Sequence, residues 1–140
     1  MEPLTELAEL IFEVADLLNL KAPTEAGLAE LPASELEVLR LVTIFPGCGV
    51  AFLTDRTKVR QANVSATVRS LVERGLVVKK TDERDRRAVR LYASDQASRD
   101  LAALRQIWLH RLLKAFDAAD IGEQDQHRLL ALLQGLRDRL

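Results

Sequence analysis

Apolar residues recur every three or four positions near the start of the chain, as Leu4, Leu7, Ile11, Val14 and Leu18, which is the stripe of an amphipathic helix. Pro23 and Gly27 interrupt it. A second helix is predicted from Ser34, whose hydroxyl is placed to cap it with Glu37 as capping-box partner, and Leu36, Leu39, Val42 and Ile44 make it apolar until Pro46-Gly47. A short helix over 51–57, a turn at Lys58, Val59 and Arg60, and a longer helix over 61–74 stopped by Gly75 come next. Val64, Val68, Leu71 and Val72 define the inner face of that longer helix. Ala62, Ser65, Ala66, Arg69 and Glu73 then point outward, with Asn63 and Ser70 on the flank.

The period changes after Gly75. LVVKK is a β-branched run, TDERDRR a polar loop, and AVRLY alternates Val89 and Leu91 against Arg90 and Tyr92, so a β-hairpin is predicted. Ser94 is placed to cap a long helix reaching Ala119, and a last helix after Gly122 carries Leu129, Leu130, Leu132, Leu133, Leu136 and Leu140. The fold class is mainly α with a small β-hairpin wing, in the order four helices, hairpin, two helices.

Composition narrows the function. At 140 residues, 48% hydrophobic and 29% charged, the chain fits one soluble domain. Acidic residues recur through the apolar N-terminal stretch, so neither a signal peptide nor a membrane span is expected and the location is cytoplasmic by default. A single cysteine, Cys48, excludes an internal disulfide framework. No Gly-rich phosphate loop, nucleophile elbow, paired catalytic carboxylates or metal cluster is present, so no enzyme and no cofactor is expected. His110 and His127 lie far apart without cysteine partners and read as solvated or packed histidines.

Net charge is −1, but its distribution is uneven. Residues 1–50 hold two basic and nine acidic side chains, residues 51–90 eleven and five, and residues 91–140 seven of each. Phosphates reward local rather than total charge, so the middle block is an electrostatic footprint for nucleic acid. It coincides with the short helix, turn, second helix and basic hairpin, the parts of a winged helix-turn-helix reading head over 51–92. Small outward residues (Ala62, Ser65, Ala66) let a helix backbone approach base edges, Gln61 and Asn63 offer the donor–acceptor pairs that suit adenine, and Arg69 suits guanine or a phosphate. Lys58, Arg60 and the loop arginines Arg84, Arg86 and Arg87 are candidate phosphate contacts. Asp85 sits badly beside phosphates and is read as a brace that pairs with a loop arginine.

Three stretches, LPASELEVLRLV, VRQANVSATVRSLVERGLVVKK and DERDRRAVRL, resemble the MarR family of bacterial transcription regulators, the wing string most specifically. The likeness covers about residues 31–95, and departs from pattern at Pro32, where a threonine cap is common, and at Lys58, where glycine usually marks the turn. It implies a single domain over 1–140, with dimerisation helices at 1–30 and 94–140 around a winged helix-turn-helix at 31–93. It also implies a homodimer on near-palindromic double-stranded DNA, and a cleft for a small, often anionic or aromatic effector. Arg40 and Trp108 are candidate cleft residues, with a surface salt bridge and a dimer or core anchor as their plainer readings. One branch of the family senses peroxide through a cysteine on the first helix, whereas Cys48 lies in a Pro-Gly-Cys-Gly loop and reads as structural. Two other readings stand beside the ligand-responsive repressor: a winged-helix module that dimerises and binds proteins, and a cysteine redox sensor on the same fold.

Overall fold

A computed structural model describes residues 2–18, 27–28, 30–57 and 61–140, and the elements run α1 (Pro3–Leu17), α2 (Ala33–Ile44), α3 (Val50–Arg56), α4 (Gln61–Glu73), β1 (Val77–Thr81), β2 (Val89–Ala93), α5 (Asp95–Ala118) and α6 (Glu123–Arg137). The chain folds into two compact units, one of residues 19–105 and the other of residues 1–18 with 106–140.

The 19–105 unit holds the core. Val38, Leu39 and Val42 of α2, Leu53 of α3, Val64, Val68 and Leu71 of α4, Val77, Leu91, and Ala97, Leu101 and Leu104 of α5 are all buried. Each such leucine or valine contributes about 1.5–3 kcal/mol, so this cluster fixes the helix-turn-helix. The buried face of α2 uses Val38 where the apolar pattern pointed to Leu36 and Ile44; Ile44 is exposed. The predicted capping box at Ser34 and Glu37 does not form. Extended Pro32 is the residue before the helix, its carbonyl accepts the Leu36 N–H at 3.0 Å, and Ser34 already lies inside the first turn. Proline fixes the entry dihedral two residues before the predicted cap.

Gly75 stops α4 as expected. Its φ of +73° is the left-handed conformation, and the Gly75 and Leu76 N–H groups donate to the Val72 and Leu71 carbonyls, closing a Schellman motif. β1 and β2 pair antiparallel with Lys79 opposite Leu91. The loop between α2 and α3 adds to the far side of β2: Leu91 N–H donates to the Cys48 carbonyl at 2.9 Å and Gly47 N–H to the Leu91 carbonyl at 2.8 Å. Ser94 caps α5 as predicted, its Oγ accepting the Ala97 N–H at 3.1 Å.

In the other unit, α1, the C-terminal part of α5 and α6 contain no buried residue among those described. Leu4, Phe12, Leu17 and Leu132 are each more than 60% exposed, and Leu7, Ile11, Leu130, Leu133 and Leu136 about half. Asp120 takes the left-handed position that ends α5. No helix among the described residues is long and apolar enough to cross a membrane.

Candidate nucleic-acid interface

The 3.6-residue period of α4 sorts its side chains. Val64, Val68 and Leu71 turn inward and Ser65, Ala66, Arg69 and Glu73 are exposed, as expected from the sequence, whereas Thr67 is buried with the inner face, Val72 is only half-buried and Asn63, expected on the flank, is exposed. Lys58 and Arg60 lie outside the described residues, as do the side chains of Gln61 and Ala62. Ser70, expected on the flank, has a mechanical part. Its hydroxyl donates to Glu35 Oε1 of α2 at 2.7 Å, and Arg74 Nε lies 3.6 Å from Glu35 Oε2. Glu35 is only 8% exposed, so this buried carboxylate fastens α4 to α2. Sequence reasoning missed it because its partners lie 35 or more positions away; an acid inside an apolar helical face was the available signal. An open depression of about 310 Å³, lined by Ser34, Glu35, Asn63, Ala66 and Thr67, lies beside this contact.

Arg84, Arg86 and Arg87 are exposed, and among the described residues none of them makes an ion pair. Their loop is held by short-range geometry. The Asp82 N–H donates to the Ala88 carbonyl and the Ala88 N–H to the Asp85 carbonyl, both at 3.0 Å. The side chain of Asp85 does not brace a loop arginine: its Oδ1 accepts the Arg87 backbone N–H at 3.0 Å. An aspartate reaches the amide two residues on without ordering a long exposed side chain, so this turn wins locally. The carboxylate that does hold a guanidinium is Asp82, and its partner is Arg90 of β2, with Oδ2 accepting from Nε at 3.1 Å and from Nη2 at 2.9 Å. The Arg84 amide, and then Arg90, hold the Asp82 carboxyl below the usual carboxylate range.

A further cation of the head was not singled out from the sequence. The Arg56 guanidinium lies 4.9 Å from the Phe45 ring centroid and 5.0 Å from that of Phe52, and the two rings meet edge to face. Lys80 stands 5.0 Å over Tyr92 in the hairpin.

The remaining candidates are placed as follows. Arg40 is on the exposed side of α2, its guanidinium drawn below its ordinary value by partial burial and by Arg105, against Glu37. Trp108 is half-buried on α5. The Cys48 thiol is half-buried, and burial pushes it up. His110 and His127 are exposed, and no group of three His, Cys, Asp or Glu side chains among the described residues is placed to hold a metal ion.

Residues 29–88 match the model of the MarR family. A MarR-like transcriptional regulator from Thermotoga maritima is similar in structure at a TM-score of 0.74 and 19% identity, over 99% of this chain and 96% of that one. The PcaV transcriptional regulator from Streptomyces coelicolor, solved in complex with its natural ligand, gives 0.67 and 21% over 99% and 93%. Bordetella bronchiseptica BpsR, described as regulated in DNA binding by 6-hydroxynicotinic acid, gives 0.69 and 17% over 98% and 94%. No curated protein matches the chain in sequence. At these identities the structural likeness speaks to the fold, which is the winged helix of MarR-like regulators.

Proposed function

We propose that this chain is a homodimeric, ligand-responsive regulator, acting in the cytoplasm as a repressor on a pseudo-palindromic operator in double-stranded DNA, a reading supported by the match of residues 29–88 to the MarR family model and by the fold that nearly the whole chain shares with MarR-like regulators. The observation that carries this reading is the pairing, in one locally basic region, of an outward α4 face made of small and amide side chains with three exposed wing arginines. Asn63, Ser65, Ala66 and Arg69, with Gln61 and Ala62, read bases; Lys58, Arg60, Arg84, Arg86 and Arg87 position the head on phosphates. The homodimer is supported by the apolar faces of α1 and α6, whose leucines stay exposed in one copy. An effector of small anionic or aromatic type is supported by the 6-hydroxynicotinic acid named for BpsR, with Arg40 and Trp108 as candidate contacts. The rival reading, a module that pairs and binds proteins without reading DNA, draws on the acidic residues 1–50.

Selection from random duplexes separates the two. Recovery of a two-fold-symmetric motif with half-sites about one helical turn apart is the expected result. Its affinity should fall steeply with salt, and Arg87→Ala should weaken binding across sequences while lowering the salt slope by about one. No enrichment at low salt would favour the protein-binding module.

A further inference from the structure

The wing arginines stand at the tip of a loop with few packed neighbours, so something at its root must set their direction. Both carboxylate oxygens of Asp82 are engaged there. Oδ1 accepts the backbone N–H of Arg84 at 2.9 Å, inside the loop, and Oδ2 accepts Nε and Nη2 of Arg90 across the hairpin. The third arm of Arg90, Nη1, donates to the Gly47 carbonyl at 3.2 Å, in the loop between α2 and α3. That loop is itself registered on β2 through Gly47 and Leu91. One guanidinium thus joins the wing root to the helix-turn-helix scaffold. Its side chain is 51% exposed, whereas that of Asp82 is only 16% exposed.

We infer that Asp82 and Arg90 are positioning residues for the wing: neither contacts DNA, and together they fix where Arg84, Arg86 and Arg87 stand. The inference rests on the DNA-reading function proposed above and deepens it. A planar guanidinium whose Nε, Nη1 and Nη2 all donate to protein acceptors, with its charge neutralised by a carboxylate, is a poor phosphate contact. An exposed ion pair also adds little to global stability. What the arrangement supplies is direction.

The test is made in the full chain on the duplex recovered by selection. Asp82→Asn removes a negative charge from a DNA-binding head, so electrostatics alone predicts tighter binding. Positioning predicts the opposite sign, a loss of roughly tenfold, because asparagine keeps one acceptor oxygen and holds either the Arg84 amide or Arg90 but not both. Arg90→Lys, which keeps the charge and loses the fork, should lose as much as Arg90→Gln, and Asp82→Asn with Arg90→Gln should lose no more than either alone. The salt slope should stay unchanged in both Arg90 variants, and Tm should stay near that of the parent. Tighter binding by Asp82→Asn, full retention by Arg90→Lys, or a slope lowered by about one in Arg90→Gln would each overturn the inference.

Amide exchange at Arg84 judges the clamp without DNA. Asp82→Ala and Arg90→Gln should both speed it, and unchanged exchange in both would overturn the clamp even if DNA binding stands. A parent chain that binds no duplex while these variants do speed exchange would instead remove the DNA reading and leave the clamp a structural one.

Discussion

Cys48, read from its Pro-Gly-Cys-Gly loop as structural, lies between α2 and α3 against β2. Its backbone carbonyl is committed to β2, its side chain is half-buried, and burial raises the thiol above its ordinary value. The thiolate is the reactive form, so iodoacetamide should label Cys48 more slowly at pH 7 than a free cysteine peptide, with the rate still rising at a pH where that of the peptide, at about pH 8.5, has begun to level off. Cys48→Ser should leave any oxidant response of DNA binding unchanged; loss of such a response would revive the redox reading. Asp82 titrates in the other direction. A carboxyl depressed in the folded state contributes stability that is present above its unfolded value and lost as pH falls through the lower folded one. The Asp82 contribution to DNA affinity should therefore be flat from pH 8 down to about 5 and fade only below about pH 4, as anisotropy titrations on the parent and Asp82→Asn would show. The two aspartates also mark where residue-level reading stops. Asp82 and Asp85 each take the same local turn, to Arg84 and Arg87, and only the cross-strand fold brings Arg90 to the first of them.

At the scale of elements, signals carried by neighbouring residues were legible: the Gly75 stop, the Ser94 cap, the change of period from helix to hairpin, and the outward face of α4. The α2 cap was misplaced by two residues because Pro32, not Ser34, takes the position before the helix. The third segment on β2 and the Glu35 fastening to Ser70 and Arg74 are long-range pairings with no local signature. Two glycines separate conformation from space. A Cβ on Gly75 or on Gly135 would meet nothing within 4 Å, but only Gly75 has a left-handed φ. Gly75→Ala should cost about 1 kcal/mol through backbone strain, whereas Gly135→Ala, inside α6, should stabilise by about 0.5–1 kcal/mol. Opposite signs for the same substitution are read directly by chemical denaturation, and equal signs would discredit the account of α4's end.

For the whole molecule, the sequence showed through its uneven charge, which placed a basic block on the winged-helix segment despite a net charge of −1. The one-copy structure leaves a row of leucines on α6 facing solvent. If these faces join two copies, Leu133→Glu should shift the sedimentation mass from dimer to monomer and abolish the preference for two-fold operators, with the reading head still folded. A parent that sediments as a monomer at micromolar concentration would remove the two-fold operator from the proposal. A near-neutral protein also has little charge repulsion to keep its copies apart in solution, and the hairpin is where this matters. β2 is flanked on both sides, whereas among the described residues no strand pairs with the outer edge of β1. Lys79 and Lys80, exposed side by side on that strand, make it costly for a neighbouring molecule's strand to add there, so the wing resists growing into an intermolecular sheet at times when no polyanion covers it.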